Sequence, residues 1–438
     1  MVMKKRWLIS FSLLVLVSIL GLVVPEKVDS FITSGGDINY ANVAWMITAS
    51  ILVLLMTPGV SFFYGGMVRT KNVISTMLQS FIAMGVISVL WVIIGFSLTF
   101  GDDIYGIIGN PTTFFMFKDV GGRVFDFLAP TIPLALFALF QMKFAILTPA
   151  LITGSFAERV RFSSYMIFMV LFSIIVYAPL AHCTWHPDGI FKQMGVIDFA
   201  GGIVVHASSG VAALAGAIFL GKRAIKKAHR PANIPFVLLG TALLWVGWFG
   251  FNAGSALAAD GIAVKAFLNT NTASAVAMLA WLFFDGLRGH KMSAMGAAVG
   301  AVAGLVGITP SAGYVTVGES IFIGFITAIV CNIAVYWKSK TSLDDALDVF
   351  PVHGVGGILG TILTGIFVDG LLDGNVTIFL NHIWAVLIVI VYTFIMSYAL
   401  YWFTNKIVTM RVSPDGEQLG LDLSQHNEVY GGDFDGVD

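Results

Sequence analysis

Long apolar runs separated by short polar segments make up most of the chain. After Val28 there are eleven such runs, each close to the roughly 20 residues that a membrane-spanning helix needs. They lie near residues 41–66, 74–100, 131–155, 163–184, 199–221, 234–253, 266–287, 292–310, 317–337, 353–370 and 380–405. The pattern predicts an all-α polytopic membrane protein with eleven transmembrane helices.

A further apolar run stands at the start of the chain. A cationic trio at residues 4–6 precedes an apolar stretch at 7–24, a pattern typical of a secretory signal peptide and equally of an additional N-terminal helix. We therefore expect three parts: a signal peptide or N-terminal apolar segment at 1–28, a membrane domain at 39–405 and a polar tail at 406–438.

Lysines and arginines are distributed unevenly between the connecting segments. Most follow odd-numbered runs, as do Arg159 and Arg161 after the third run and Lys338 and Lys340 after the ninth. Because cytoplasmic loops retain the cationic excess, the tail is expected to be cytoplasmic and the first of the eleven helices to begin outside. The expected location is the plasma membrane, multi-pass, with an outside N-terminus if the leading segment is cleaved.

Composition narrows the classes of function. The 438 residues are 57% hydrophobic and 11% charged, whereas a soluble domain carries about 25% charged residues. A net charge of -1 leaves no cationic excess for a nucleic-acid partner, so membrane lipid is the expected surrounding. Two cysteines are too few for a disulfide framework or a metal cluster. Without a nucleophile–base set or a cofactor-binding loop, we expect neither an enzyme nor a cofactor.

Two of the eight histidines occupy matching places. The stretch Asp198-Phe-Ala-Gly-Gly-Ile-Val-Val-His206 begins the fifth run, and Asp348-Val-Phe-Pro-Val-His353 begins the tenth. Helices that are five runs apart have opposite directions, which predicts an inverted five-plus-five repeat whose histidines meet at mid-membrane. An ionisable residue within a span favours a functional role, and the alternative is a neutral imidazole hydrogen-bonded between helices.

Zinc binding by this pair is disfavoured, because a structural zinc site takes about four ligands and no nearby cysteine or third histidine accompanies either residue. We therefore expect no metal site. The other histidines lie at span ends or in loops, where solvated or interfacial positions are expected: His182, His186, His229, His290, His382 and His426.

Five segments form a set that matches one known family. They are Pro58-Gly-Val-Ser-Phe-Phe-Tyr-Gly-Gly66, Gly154-Ser-Phe-Ala-Glu-Arg-Val-Arg-Phe162, the stretch from Asp198 to His206, Gly247-Trp-Phe-Gly-Phe-Asn-Ala-Gly-Ser255, and the stretch from Asp348 to Gly357. Together they resemble the ammonium transporter/Rhesus (Amt/Rh) family. The resemblance extends from about Asn39 to Tyr430.

The resemblance implies a channel-like ammonium transporter, assembled as a homotrimer with one pore in each protomer. His206 and His353 would line the pore, and stacked rings of Phe144 and Phe251 would form its gate. A bare ammonium entering an apolar lumen would lose several kcal/mol of solvation, whereas ammonia would not. Deprotonation at the gate would therefore let ammonia pass, with or without its proton, and would exclude potassium.

The resemblance also implies an outer recruitment site at Trp185 and Ser255, with Phe140 beside it. A tryptophan face attracts a cation by about 0.5 to 2 kcal/mol, and a serine hydroxyl can accept an ammonium N–H. The alternatives are an interfacial tryptophan and a serine bonded to its own helix backbone.

Two further parts follow from the resemblance. Asp198 matches the family aspartate that shapes this site, and the residue itself favours a cap that orients the helix carrying His206. The stretch Gly420-Leu-Asp-Leu-Ser-Gln-His-Asn-Glu-Val-Tyr430 resembles the cytoplasmic tail that couples protomers and, in many relatives, meets a PII-class regulator.

Lys143 departs from the family pattern, because a neutral residue is usual between Phe140 and Phe144. One interpretation places its amine at the surface or a helix interface, away from the pore. If the amine lay about 8 Å from the recruitment site, repulsion of about 2 kcal/mol would slow cation entry. That second interpretation favours an alternative function, an ammonium sensor or receptor that conducts little and signals through its tail to an output domain.

A second departure from the family pattern follows Trp185, which precedes His186-Pro-Asp-Gly189 where relatives carry a glycine run.

Overall fold

The structure is a computed structural model that describes residues 2–24, 37–224 and 230–431, and this part of the chain is nearly all helix. The long helices are α1 (Val2–Val23), α2 (Tyr40–Met67), α3 (Val73–Leu90, Trp91–Gly95 and Phe96–Phe100), α4 (Leu134–Ile152), α5 (Phe162–Phe172, Ser173–Tyr177 and Ala178–Trp185), α6 (Gly202–Ala207 and Ser208–Leu220), α7 (Ile234–Gly254), α8 (Gly261–Leu287), α9 (Ala294–Ile308), α10 (Val317–Ser339), α11 (Phe350–Gly354 and Val355–Phe367) and α12 (Val376–Ile407).

Short elements connect the long helices. A two-residue hairpin pairs β1 (Asp103–Ile104) with β2 (Ile108–Gly109) in antiparallel register. Short helical turns occur at Thr70–Asn72, Phe115–Phe117, Ile190–Gln193, Leu371–Asp373, Pro414–Leu419 and Asp422–His426.

Each of the eleven predicted spans contains a helix. Among the described residues, ten helical segments are long and apolar enough to cross a membrane, and α9, at 15 residues, falls short of that length. The all-helical, multi-pass membrane fold is therefore confirmed, whereas the count of eleven stays a prediction. The proposed leading segment forms α1 over the part that is described, while residues 1 and 25–28 lie outside the described residues.

Four of the long helices contain a π-helical stretch, in which hydrogen bonds join backbone groups five residues apart instead of four. In α3 and α5 the stretch lies inside the helix. In α6 and α11 it forms the first turn, and these two turns carry His206 and His353. The two halves of the chain therefore begin their histidine helices in the same unusual way, as an inverted repeat predicts.

Small residues allow the helices to approach closely. A Cβ added to Gly300 of α9 would stand 2.6 Å from the Cβ of Trp281 in α8, and one added to Gly304 would stand 2.6 Å from the carbonyl oxygen of Ala273. These approaches make a tight bundle, and in lipid the association of helices depends on such close packing.

The closest crossing joins α6 and α11. A Cβ on Gly210 would overlap the backbone of Gly354, and a Cβ on Gly357 would stand 2.7 Å from the carbonyl oxygen of Gly202. Because only hydrogen atoms fill these positions, the two helices touch through their backbones. This contact brings the two histidine turns together.

At the opposite end from Trp185, the tail packs against the helix ends. The carboxylate of Asp422 accepts hydrogen bonds from the N–H groups of Ile74 (3.0 Å) and Ser75 (2.7 Å) at the start of α3. The Glu417 carboxylate is paired with Arg411 at 2.5 Å and accepts the N–H of Ala224. The described part of the tail is therefore a structured element of the domain.

Candidate functional site

His206 and His353 meet between α6 and α11. Their Nδ1 atoms are 3.3 Å apart and their rings are nearly parallel, with centroids 5.4 Å apart. His206 is fully buried and His353 is 4% exposed, and the Nε2 atom of His206 has no hydrogen-bond partner among the described residues. Since Nδ1 of one ring must donate to Nδ1 of the other, the pair holds one proton between the rings and leaves a polar nitrogen facing inward.

Asp198 holds the turn that carries His206. It is buried, and its carboxylate accepts hydrogen bonds from four successive backbone N–H groups at the start of α6, over 2.6 to 3.2 Å: those of Gly201, Gly202, Ile203 and Val204. These groups have no partner inside the helix, and a carboxylate at a helix N-terminus is favoured by both charge and hydrogen bonding. The geometry agrees with the capping role expected for Asp198.

The acid that serves α11 is Asp345 and not Asp348. Asp345 is fully buried and accepts the N–H of Phe350 at 2.8 Å, whereas Asp348 pairs with Lys338 at 2.6 Å and adopts a left-handed backbone conformation with φ +59°. Asp345 precedes His353 by eight residues, the same spacing as between Asp198 and His206. No cap for α11 was predicted from the sequence, although the shared spacing of eight residues was a signal for Asp345.

Phe144 of α4 and Phe251 of α7 form a stacked pair. Their ring centroids are 4.2 Å apart with an interplanar angle of 20°, and both side chains are buried. The Phe251 ring also lies 5.9 Å from the ring of His206. The expected gate residues therefore stand directly beside the histidine pair.

Trp185, Ser255 and Phe140 surround the far side of this pair of rings. The Trp185 ring meets Phe144 edge to face at 5.8 Å, and Phe140 meets the same phenylalanine at 5.0 Å. Trp185 is half-buried, and its Nε1 donates to the carbonyl oxygen of Asp198 at 2.9 Å, which fixes the plane of the indole. We call this side, where Trp185 reaches partial exposure, the entrance.

Ser255 makes the local bond that the alternative interpretation expected, because its hydroxyl donates to the carbonyl oxygen of Phe251 at 2.9 Å. This bond uses the hydroxyl hydrogen and leaves the oxygen lone pairs available. The half-buried oxygen is therefore an acceptor, which suits a ligand that has only N–H groups to offer.

Lys143 lies inside the bundle. The residue is 8% exposed, and the hydrogen-bond partner of its Nζ is the sulfur of Met142 at 3.7 Å. Thioether sulfur is a weak acceptor, so the amine has little compensation for its burial.

Sequence reasoning missed Trp248, which stands in the motif from Gly247 to Ser255. Its ring stacks on His206 with centroids 5.2 Å apart and a 16° interplanar angle, and its Nε1 donates to Thr309 at 2.8 Å. Trp248 also lines a small cavity of about 10 Å³, together with His353, Val60, Tyr64, Leu147 and Leu151. Such a volume holds about one molecule the size of water.

Three histidines expected near solvent are buried. His182 and His382 are fully buried and His186 is 2% exposed, so the expectation of solvated or interfacial positions was wrong for them. They are buried because connecting segments fold back over the span ends and cover these side chains. The carboxylate of Asp103 and the carbonyl oxygen of Thr99 bond His182, and the N–H of Ile197 bonds His382.

Comparison with known proteins identifies relatives along nearly the whole chain. A profile of the Ammonium Transporter Family matches residues 44–430. An ammonium transporter of Bacillus subtilis is 45% identical over 394 residues, which cover 88% of this chain and 96% of the relative. Ammonium transporter Amt1 of Archaeoglobus fulgidus is 43% identical over 397 residues, which cover 89% and 98%.

Solved structures agree with this result. Mep2 of Saccharomyces cerevisiae superposes with a TM-score of 0.81 at 34% identity, covering 86% of this chain and 89% of Mep2. A protein described as a sensor Amt protein superposes with a TM-score of 0.82 at 31% identity, covering 88% and 98%. The family model and the curated relatives describe membrane transporters and not enzymes. The chain therefore belongs to the ammonium transporter family, as the resemblance of its motifs predicted.

Proposed function

We propose that this protein is a channel-like ammonium transporter, which recruits ammonium at the entrance and passes ammonia into the cytoplasm. The observation that carries the proposal is a continuous line of rings from the entrance to the histidine pair. Successive centroids along this line are 4.2 to 5.9 Å apart, through Trp185, Phe144, Phe251, His206 and His353.

Recruitment uses the half-buried groups at the entrance. The π face of Trp185 attracts a cation, and the oxygen of Ser255, whose own hydrogen is already donated, accepts one ammonium N–H. The Asp198 carbonyl oxygen keeps the indole in place, so little side-chain entropy is lost on binding. Weak binding of this kind favours fast release into the pore.

The stacked rings of Phe144 and Phe251 separate the entrance from the histidines. With centroids 4.2 Å apart they leave no gap for a hydrated ion. Ammonium that gives up a proton on the entrance side becomes ammonia, which needs far less solvation, whereas potassium has no proton to give up. The gate therefore selects by chemistry as well as by size.

Beyond the gate, the histidine pair offers hydrogen bonds to ammonia. In the part of the chain that the structure describes, nothing bonds Nε2 of His206, so a molecule in the lumen can bond to it. Two forms of net transport fit this arrangement: ammonia alone, or ammonia together with its proton passed along the imidazoles. Charge movement during uptake distinguishes them.

The proposed setting is the plasma membrane, with the entrance outside, the tail in the cytoplasm and three protomers per assembly. A groove of about 590 Å³ between α2 and α8, lined by Trp45, Ala263, Phe267 and Leu268, supports assembly through that face. The ordered tail, held by Asp422 to the start of α3, supports a cytoplasmic docking surface for a PII-class regulator or another signalling partner.

An ammonium receptor is the second candidate, and two observations favour it. The amine of Lys143 is buried in the helix that carries Phe140 and Phe144, and the chain is 31% identical to a structure described as a sensor Amt protein. In this alternative a charged Lys143 repels the entering cation, so that binding at the entrance is reported by the tail instead of being followed by flux.

Ammonium pulses applied to proteoliposomes separate the two functions. A transporter gives a saturable current or uptake in the unmodified protein. Lys143→Thr then changes the rate without being required for it, and Lys118→Thr, at an exposed position, serves as the matched control. An unmodified protein that is silent, and that conducts after Lys143→Thr but not after Lys118→Thr, would overturn the transporter proposal in favour of the receptor.

A further inference from the structure

Next to the entrance lies a second cluster of polar side chains, which the transport pathway does not use. Asp103 of β1, His182 of α5 and His186 just after α5 bring three metal-binding side chains together, with ligand atoms all within 4.8 Å of one another. Nε2 of His182 is 2.8 Å from a carboxylate oxygen of Asp103, and the two imidazole rings stack with centroids 4.3 Å apart. Both histidines are buried.

The hydrogen bonds of His182 show which of its nitrogens is free to bind a cation. Its Nδ1 is 2.8 Å from the carbonyl oxygen of Thr99, and since a carbonyl can only accept, Nδ1 carries a hydrogen. Nε2 then faces the Asp103 carboxylate at 2.8 Å, which is also an acceptor. Two acceptors this close need a hydrogen or a metal ion between them.

The backbone bond at Nδ1 is also the arrangement that orients histidines in metal sites. Such histidines donate their other ring N–H to a carbonyl or carboxylate, which fixes the tautomer and increases the basicity of the ligating nitrogen. Asp103 is held in a similar way, because the N–H of Gly106 donates to the oxygen that faces His182, at 2.7 Å. The other carboxylate oxygen remains available, and the side chain is 26% exposed, so the cluster can be reached from water.

His186 can supply the third ligand through either nitrogen. Its Nδ1 accepts the N–H of Asp188 at a long 3.2 Å, and ligation through Nδ1 would replace that contact. Ligation through Nε2 would move the ring proton to Nδ1, next to the Asp188 carboxylate, which is 4.0 Å away.

We propose that Asp103, His182 and His186 form a binding site for a zinc-type divalent cation beside the entrance. Two imidazoles and one carboxylate match the protein ligands of three-residue zinc sites, whereas Mg²⁺ and Ca²⁺ prefer oxygen alone. Tetrahedral ligands about 2.0 to 2.2 Å from zinc are roughly 3.3 to 3.6 Å apart. The Nε2 to carboxylate distance of 2.8 Å therefore widens by about half an ångström when the metal replaces the proton.

The proposal does not depend on transport, because the site is built from residues outside the pore and its test measures binding. Tag-free full-length protein in detergent is titrated with ZnCl2, and bound zinc is counted by mass spectrometry after desalting. The expected result is about one zinc per chain that Mg²⁺ does not displace. His186→Gln is expected to weaken binding by at least tenfold, in the way that loss of a ligand does. His290→Gln, at an exposed histidine, is expected to leave binding unchanged.

Thermal unfolding with and without ZnCl2 keeps the test independent of folding defects. Zinc is expected to raise the melting temperature of the unmodified protein and of His290→Gln, but not that of His186→Gln. Without zinc, His186→Gln is expected to melt close to the temperature of the unmodified protein. If His186→Gln fails to fold, Asp103→Asn is used in the same way. Equal zinc affinity in the unmodified protein and in the folded ligand variant, or no zinc bound by the unmodified protein, would overturn the proposal.

Discussion

The Nδ1 atoms of His206 and His353 lie 3.3 Å apart, in turns that begin two helices of opposite halves of the chain. One proton therefore serves both nitrogens, and each ring directs its Nε2 away from the other. The pair acts as a unit, and replacing one ring changes the hydrogen bonds of the other.

Replacing both rings tests the selectivity of the pore. In the variant with His206→Ala and His353→Ala, the polar nitrogens disappear and two imidazole volumes become free for water. We expect ammonium to lose its advantage over potassium in current measurements on supported membranes. His290→Ala, at an exposed histidine, is the matched control and is expected to retain selectivity. A double variant that still excludes potassium would contradict the role assigned to the pair.

Asp198→Ala tests the cap of α6. The substitution leaves four buried N–H groups without their acceptor, and we expect a loss of about 3 kcal/mol in stability. Asp198→Asn keeps one acceptor oxygen and is expected to lose less. Thermal unfolding in detergent should show stability falling from the unmodified protein to Asp198→Asn and then to Asp198→Ala. If Asn and Ala were equally destabilising, the charge and not the hydrogen bonds would hold the turn.

The place of Asp198 was predictable from the sequence, whereas the acid that caps the second histidine helix was not identified. The motif contains Asp348, the acid closest to His353, but Asp348 has a left-handed backbone and pairs with Lys338. Local spacing reveals that an acid is present. Which acid reaches the helix end depends on the path of the loop, and the sequence pattern does not encode that path.

Asp345→Asn tests the effect of pH on stability. Burial raises the pKa of Asp345 to about 6, so this carboxyl group stays protonated in the folded protein to a higher pH than in the unfolded chain. Because the folded pKa lies above the unfolded value near 3.9, the contribution of Asp345 to stability falls as pH rises from about 4 to 6 and changes little above that. The expected cost at pH 7 is about 3 kcal/mol.

Unfolding measured between pH 4 and pH 7 checks this expectation. The unmodified protein should become less stable across the interval, and Asp345→Asn should remove most of that slope, since the amide cannot ionise. Asp415→Asn, in the exposed part of the tail, is the control and should keep the slope. An unchanged slope in Asp345→Asn would show that other groups determine it.

The helical spans and the family motifs were predictable because apolar length and motif spacing are properties of the sequence alone. The π-helical first turns of α6 and α11 were not, because they arise where the backbones of two distant helices touch. The burial of His182 was missed for a similar reason, since the loop containing Asp103 covers it from a distant part of the chain. Tertiary contacts of this kind leave no periodic signal.

Gly210→Ala tests whether backbone contact between α6 and α11 positions the histidine pair. The added methyl group would overlap the backbone of Gly354, next to His353, and neither backbone can rotate away. Overpacking of this kind costs about 1 to 3 kcal/mol, and relief requires the helices to separate. We expect a lower melting temperature together with reduced ammonium current. Gly85→Ala, where an added Cβ meets nothing within 4 Å, is the matched control and should leave both properties unchanged. A Gly210→Ala variant with normal stability and normal current would show that the histidines keep their places without this contact.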